Sequence, residues 1–186
     1  MRLLSRFLLW LWGWKIIGDT PVEKKYIIVV APHTSMWDFV IGRIGFYEKG
    51  INVNVLIKKE LFWFPLGYII KAFGGIPVER SRNNSTVEYV CKIFRQRDEI
   101  VLGIAPEGTR KKVTNWKRGF YHIAMRADVP VYLGYIDYKQ KIGGVGPRMI
   151  LTGNYQEDFK QIELFYSDKS AKFPENFNLT PETHTV

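Results

Sequence analysis

Residues 26 to 31 read YIIVVA, and Pro32-His33-Thr34-Ser35-Met36-Trp37-Asp38 follows at once. Six consecutive apolar residues, most of them β-branched or aromatic, leave no polar face, so the run predicts a strand buried on both sides. Similar runs predict strands at 53–57, 100–105, 129–136 and 149–151, with helical stretches between most of them. Strand and helix alternation of this kind points to an α/β domain with a mainly parallel central sheet flanked by helices.

Smaller signals fill in the frame. Gly74-Gly75 reads as a turn into a short strand that ends in Arg80. Ser85-Thr86-Val87-Glu88 reads as a capping box opening a helix that reaches about Gln96. Residues 158–166 suit a last helix, and the polar, proline-containing end lacks a regular pattern. No repeat or linker divides the chain, so residues 21–186 are expected to form one domain behind an N-terminal segment, 1–20.

Composition narrows the partners. A net charge of +9 suits an anionic one, whether a membrane surface, a phosphorylated substrate, an acidic carrier protein or nucleic acid. The basic residues are scattered and no recognition motif for nucleic acid occurs, so none is expected as a partner. The single cysteine, Cys91, cannot form an internal disulfide and fits a small buried residue on a helix.

From Leu3 to Ile17 the chain reads LLSRFLLWLWGWKII. As a helix this stretch spans about 22 Å against a hydrocarbon core of about 30 Å. Trp10, Trp12 and Trp14 favour the headgroup boundary. The reading is therefore an amphipathic helix lying in the membrane interface. No small-residue cleavage site follows, which disfavours a signal peptide. A second apolar stretch, Glu60 to Phe73, fits either a buried core helix or another membrane contact.

Ligands of open α/β sheets gather beyond the carboxyl ends of strands, so polar residues just after predicted strands come first. His33 and Asp38 follow the 26–31 strand. On a continuous helix they would point about 140° apart, so they can pair only if the chain turns before the helix begins. Paired, Asp38 would fix the imidazole tautomer and stabilise the imidazolium formed when His33 takes a proton. Arg80 could bind phosphate in a bidentate fashion. Pro106-Glu107-Gly108-Thr109-Arg110-Lys111-Lys112, after the 100–105 strand, offers a glycine for close approach and several cations. Nucleophile elbow, P-loop, dinucleotide fingerprint and metal-ligand spacing are all missing from the sequence, and no metal or bound cofactor is expected. His122 and His184 read as structural or exposed.

Taken in order, these blocks resemble the glycerolipid acyltransferase family typified by 1-acyl-glycerol-3-phosphate acyltransferases. That family carries an HxxxxD motif, a glycine-rich block ending in arginine, a Pro-Glu-Gly-Thr-Arg block and a Val-Pro-Val-type strand. Here these are His33 to Asp38, Gly74 to Arg80, Pro106 to Arg110 and Val129-Pro130-Val131, within residues 26–136. The resemblance implies that His33 is the base and Asp38 its partner. It further implies that Arg80, Glu107, Gly108, Thr109 and Arg110 form the acceptor-phosphate site. Pro32 stands where asparagine is common, Ala105 where phenylalanine is common, and Gly134 where a second proline is frequent. These departures, with the short chain, resemble a compact bacterial subgroup.

The implied reaction moves a fatty acyl group from an acyl thioester, carried by coenzyme A or acyl carrier protein, to a lysophospholipid hydroxyl. The first acceptor to consider is 1-acyl-glycerol-3-phosphate, which gives phosphatidic acid. The enzyme would sit on the cytoplasmic face of the inner membrane as a peripheral or monotopic protein in contact with membrane lipids. A different lysolipid acceptor, with an amino-acid or sugar head, and a non-catalytic lipid-binding protein are the other readings.

Overall fold

The computed structural model describes residues 1–79 and 83–179, with the side chains of 83–85 excepted. Seven strands form one sheet: β1 (Lys15–Ile17), β2 (Lys25–Ala31), β3 (Val53–Lys58), β4 (Gly75–Val78), β5 (Ile100–Ile104), β6 (Val131–Asp137) and β7 (Ile142–Met149). Their spatial order is β1-β7-β6-β2-β5-β3-β4. Every neighbouring pair is parallel except β6 with β7, which form an antiparallel hairpin. The expected mainly parallel sheet is thus present, with β2 at its centre between β5 and β6.

The continuous apolar run of β2 serves two layers at once. Ile27, Val29 and Ala31 belong to a core shared with α4 (Asn83–Gln96), α5 (Gly119–Ala127) and α6 (Tyr155–Tyr166). Tyr26 and Ile28 face the other way, toward Ile51, Val53 and the partly buried Phe46. That second face carries α2 (Met36–Lys49), with α1 (Arg2–Leu11) packed on it. Arg43 of α2 donates to the Val53 carbonyl, and its guanidinium lies 6.0 Å from the Phe73 ring just beyond α3 (Leu66–Ala72). Cys91 is buried in the first core, as a small apolar side chain would be.

Four expectations need correction. The single helix over Leu3 to Ile17 is two elements: α1 stops at Leu11, Gly13 adopts φ +72, and Lys15–Ile17 pairs with β7 as an edge strand. Trp14 is consequently core, its ring edge-on to Tyr138 at 5.1 Å, rather than a residue of the headgroup boundary. The strand expected at 149–151 runs instead over Ile142–Met149. Its glycines are not a typical strand composition, but neighbouring backbone crowds them. A β-carbon at Gly144 would lie 2.2 Å from the Ile17 carbonyl oxygen. Finally, α4 begins at Asn83, so Ser85 lies inside its first turn and is not the N-cap.

The Glu60 to Phe73 stretch is not a buried helix. A short 3₁₀ turn, Lys59–Leu61, precedes α3, and Trp63, Phe64, Tyr68 and Ile69 are all exposed. No helix among the described residues is long and apolar enough to cross a membrane.

Candidate active site

Three neighbouring parallel strands deliver the polar residues. β2 ends at Ala31 and feeds His33; β5 ends at Ile104 and feeds Glu107; β6 ends at Asp137 and feeds Tyr138. Parallel pairing puts all three carboxyl ends on one edge of the sheet, which is why residues 74 and 100 positions apart in sequence meet there.

The turn needed for His33 to reach Asp38 is there. Ala31-Pro32, a cis peptide, leads into Ser35, whose extended backbone makes it the N-cap of α2. The Ser35 hydroxyl accepts from the Trp37 amide. Asp38, the third helical residue, reaches back so that its Oδ2 accepts from the amides of Thr34 and Ser35 at 2.6 and 2.7 Å. The aspartate therefore closes the helix cap, and the same oxygen faces His33 Nδ1 at 3.5 Å. His33 precedes the helix, so the angular separation of a continuous helix does not apply.

Asp38 is buried while the His33 ring is about one-quarter exposed, so the imidazole is the member of the pair that a substrate can meet. Burial alone would raise the Asp38 pKa. Hydrogen bonds from His33, from the Tyr138 hydroxyl and from the Ser35 and Thr34 amides outweigh it and hold the carboxyl below its usual value. An ionised Asp38 favours the tautomer with the proton on Nδ1, which leaves Nε2 as the basic nitrogen.

The block after β5 divides into two parts. Gly108, Thr109 and Arg110 are exposed and open to a ligand from solvent. Gly108 has φ +69 and its amide donates to the Ala105 carbonyl. Glu107, expected in the same phosphate site, is instead buried, and its Oε1 accepts the main-chain N–H of His33 at 3.0 Å. A carboxylate repels phosphate, and this one points beneath the His33 turn. Burial pushes its pKa up to about 7, against the lowering effect of the His33 amide. Arg80 lies outside the described residues; the strand before it, β4, ends at Val78.

Two further residues join the site that sequence reasoning had not singled out. Lys117 lies across Gly108: a β-carbon there would sit 2.8 Å from Lys117 Cε and 2.9 Å from Nζ. Its amide donates to the Pro106 carbonyl, and the neighbouring Trp116 anchors the loop among Phe159, Tyr166 and Phe177. Tyr138 donates to Asp38 Oδ1 at 2.7 Å. The Gly-Thr-Arg spacing gave no hint of Lys117, and nothing local marks Tyr138, since its partner lies 100 positions away. His122 is exposed on α5, and His184 lies outside the described residues.

Known proteins bear on this arrangement. A 1-acyl-sn-glycerol-3-phosphate acyltransferase of Saccharomyces cerevisiae is 29% identical over 126 residues, which cover 63% of this chain and 40% of that protein. The Streptococcus pneumoniae protein of the same name is 28% identical over 128 residues, covering 63% and 47%. The chain thus matches less than half the length of these curated relatives. The crystal structure of the 1-acyl-sn-glycerophosphate acyltransferase PlsC from Thermotoga maritima shares the fold. It superposes with a TM-score of 0.60 at 13% identity, over 89% of this chain and 75% of that one. The Acyltransferase family model matches residues 14–134, a segment that holds the His33–Asp38 pair and the Glu107 to Arg110 turn. By a match that takes in well over half of its residues, this chain belongs to the Acyltransferase family.

Proposed function

We propose that the chain transfers a fatty acyl group from an acyl thioester to the hydroxyl of a lysophospholipid, with 1-acyl-glycerol-3-phosphate as the first acceptor to test. The observation that carries this reading is His33 Nδ1 held against Asp38 beside the exposed Gly108 to Arg110 turn. The names of the curated relatives support the acceptor.

In this mechanism His33 Nε2 takes the proton of the acceptor hydroxyl as its oxygen attacks the thioester carbonyl. The tetrahedral intermediate collapses, the C–S bond breaks, and the departing thiolate takes the proton back from the imidazolium. Ester and free thiol result, and Asp38 stabilises the transient cation throughout. General base catalysis of this kind contributes roughly 10²- to 10⁴-fold. Gly108, Thr109, Arg110 and Lys117, with Arg80 by resemblance, hold the acceptor phosphate. Glu107 serves the reaction indirectly, by fixing the backbone of His33.

The reading extends to a membrane surface. On α1 the outward residues Leu3, Leu4, Phe7, Trp10 and Leu11 are apolar and exposed. The face toward α2 holds buried Ser5, and Arg2 and Arg6 bind the Lys49 carbonyl and Glu48. Leu9 is buried on that inner face as well, so α1 is apolar on both sides, and its apolar outer face is the one expected if lipid covers it. Trp63 and Phe64, flanked by Lys58, Lys59 and Lys71, offer a second contact to an anionic leaflet. The cytoplasmic leaflet is the proposed location, and coenzyme A and acyl carrier protein are the two donor classes.

The test is an acyl-transfer assay with both donor types against a panel of lysolipids, read by mass spectrometry. Transfer to 1-acyl-glycerol-3-phosphate that disappears in a folded His33→Ala protein is the expected result. Transfer that survives this substitution excludes His33 as the base.

A further inference from the structure

Tyr138 lies just past the family-matched segment, in the turn between β6 and β7. Its hydroxyl donates to Asp38 Oδ1 at 2.7 Å, the one carboxylate oxygen that neither helix-cap amide occupies. The residue is held on several sides. Its amide donates to the Ser170 carbonyl at 2.8 Å, its ring meets Trp14 edge-on at 5.1 Å, and Lys172 Nζ stands 6.0 Å from the ring centre.

We propose that Tyr138 is a positioning residue for the base: its hydrogen bond fixes the Asp38 carboxylate and sets how strongly that carboxylate draws the Nδ1 proton of His33. This rests on the reading of His33 as general base given above. A donor on Oδ1 withdraws charge from the carboxylate, so it tempers the attraction that Oδ2 exerts on the imidazolium. Burial, and then Asp38 itself, push the phenol pKa far above its usual value, so the hydroxyl stays a donor at every working pH.

Among the described residues, the other charged groups facing this trio are Glu107, which reaches His33 from the turn after β5, and Lys172, from the segment after α6. The adjacent Asp137 is turned away and caps the amides of Lys139 and Gln140. None of these is altered by a change at Tyr138, so a shift in the titration of His33 reports the lost hydrogen bond.

The experiment compares wild type, Tyr138→Phe and a protein with 3-fluorotyrosine at position 138, whose more acidic hydroxyl is a stronger donor. The acid limb of the kcat/KM profile is expected to move to higher pH in Tyr138→Phe, by roughly half a pH unit or more. Its kcat should fall about tenfold, the scale of one hydrogen bond to a charged group, with acceptor KM unchanged. The fluorinated protein is expected to move the limb to lower pH, a graded response that a merely structural tyrosine does not give. The His33 ring titration, followed by NMR without substrate, moves in the same two directions.

If Tyr138→Phe does not fold, the fluorinated protein alone decides. Profiles and ring titrations that superimpose on wild type, with His33→Ala inactive, overturn the Tyr138 assignment alone. A His33→Ala protein with wild-type turnover overturns the base reading and this assignment together.

Discussion

The Glu107 carboxylate accepts the main-chain N–H of His33 at 3.0 Å, so the turn after β5 holds the turn after β2. The glutamate of the Pro-Glu-Gly-Thr-Arg block and the histidine are therefore one mechanical unit. The first residue after Pro106 supports the His33 backbone, and the next three are exposed, where the proposed function places the acceptor.

The support carries a pH-dependent cost. Burial raises the Glu107 pKa from its ordinary value near 4.5 to about 7. Below about pH 4.5 the group is protonated in folded and unfolded chains alike. As pH rises toward 7 the unfolded chain releases the proton first, so the folded state loses stability across that window. At about 1.4 kcal/mol per pH unit the loss amounts to roughly 3 kcal/mol above pH 7. Glu107→Gln keeps an oxygen for the His33 amide and removes the charge. Denaturant melts from pH 4.5 to 8 should lose this downward slope, and acceptor KM should stay at the wild-type value. A Gln variant with greatly raised acceptor KM would return Glu107 to the phosphate site.

Asp38 serves the fold and the proposed chemistry with the same oxygens, and two substitutions separate them. Asp38→Ala strands the Thr34 and Ser35 amides and the Tyr138 hydroxyl. It should destabilise the protein by about 3 kcal/mol or more in urea unfolding. Asp38→Asn can keep its carbonyl oxygen on the two amides while its NH₂ meets the Tyr138 oxygen. Near-native stability is therefore expected, with kcat lower by about 10²-fold or more because the negative charge opposite His33 is gone.

Much of this was legible in the sequence, and what was hidden is instructive. The YIIVVA run is unambiguous because a central parallel strand has no polar face to show. The His33–Asp38 pairing could be posed as a condition on the turn, since Pro32 is a local signal, whereas the Ser35 cap that makes the turn showed only in the structure. β1 escaped because Lys15 to Ile17 continues the apolar run of the N-terminal helix, and β7 because it is rich in glycines whose place is set only by the partner backbone. Glu107 carried a family role that only burial could reassign, and Tyr138 needed the β6 end beside the β2 end. The three-residue Gly-Thr-Arg turn was visible, but the lysine that lies over it was not.

That lysine gives the next prediction. Gly108 combines a positive φ with the Lys117 side chain across it, so an added methyl group both strains the backbone and displaces the ammonium. Gly108→Ala and Lys117→Met should each raise the acceptor KM, the latter about tenfold, as expected for one charge-assisted contact. In both proteins kcat at saturating acceptor should change little, because His33 and its supports are untouched. Loss of kcat with KM unchanged in Lys117→Met would place the lysine outside the phosphate site.

The outward face of α1 supplies the last test. Phe7 and Trp10 are 55% and 73% exposed, so neither contributes appreciably to the core, and their apolar area is available to a bilayer. Burying one such side chain is worth about 1.5–3 kcal/mol. The double variant Phe7→Ser, Trp10→Ser should therefore melt like wild type yet partition into anionic vesicles at least about a hundredfold more weakly in flotation assays. Turnover of a short-chain, water-soluble acceptor should be retained, since Trp14 and the Tyr138 contact remain, whereas turnover of vesicle-embedded acceptor should fall with binding. Equal flotation of wild type and variant would remove α1 from the membrane contact and leave Trp63 and Phe64 as the surface to examine.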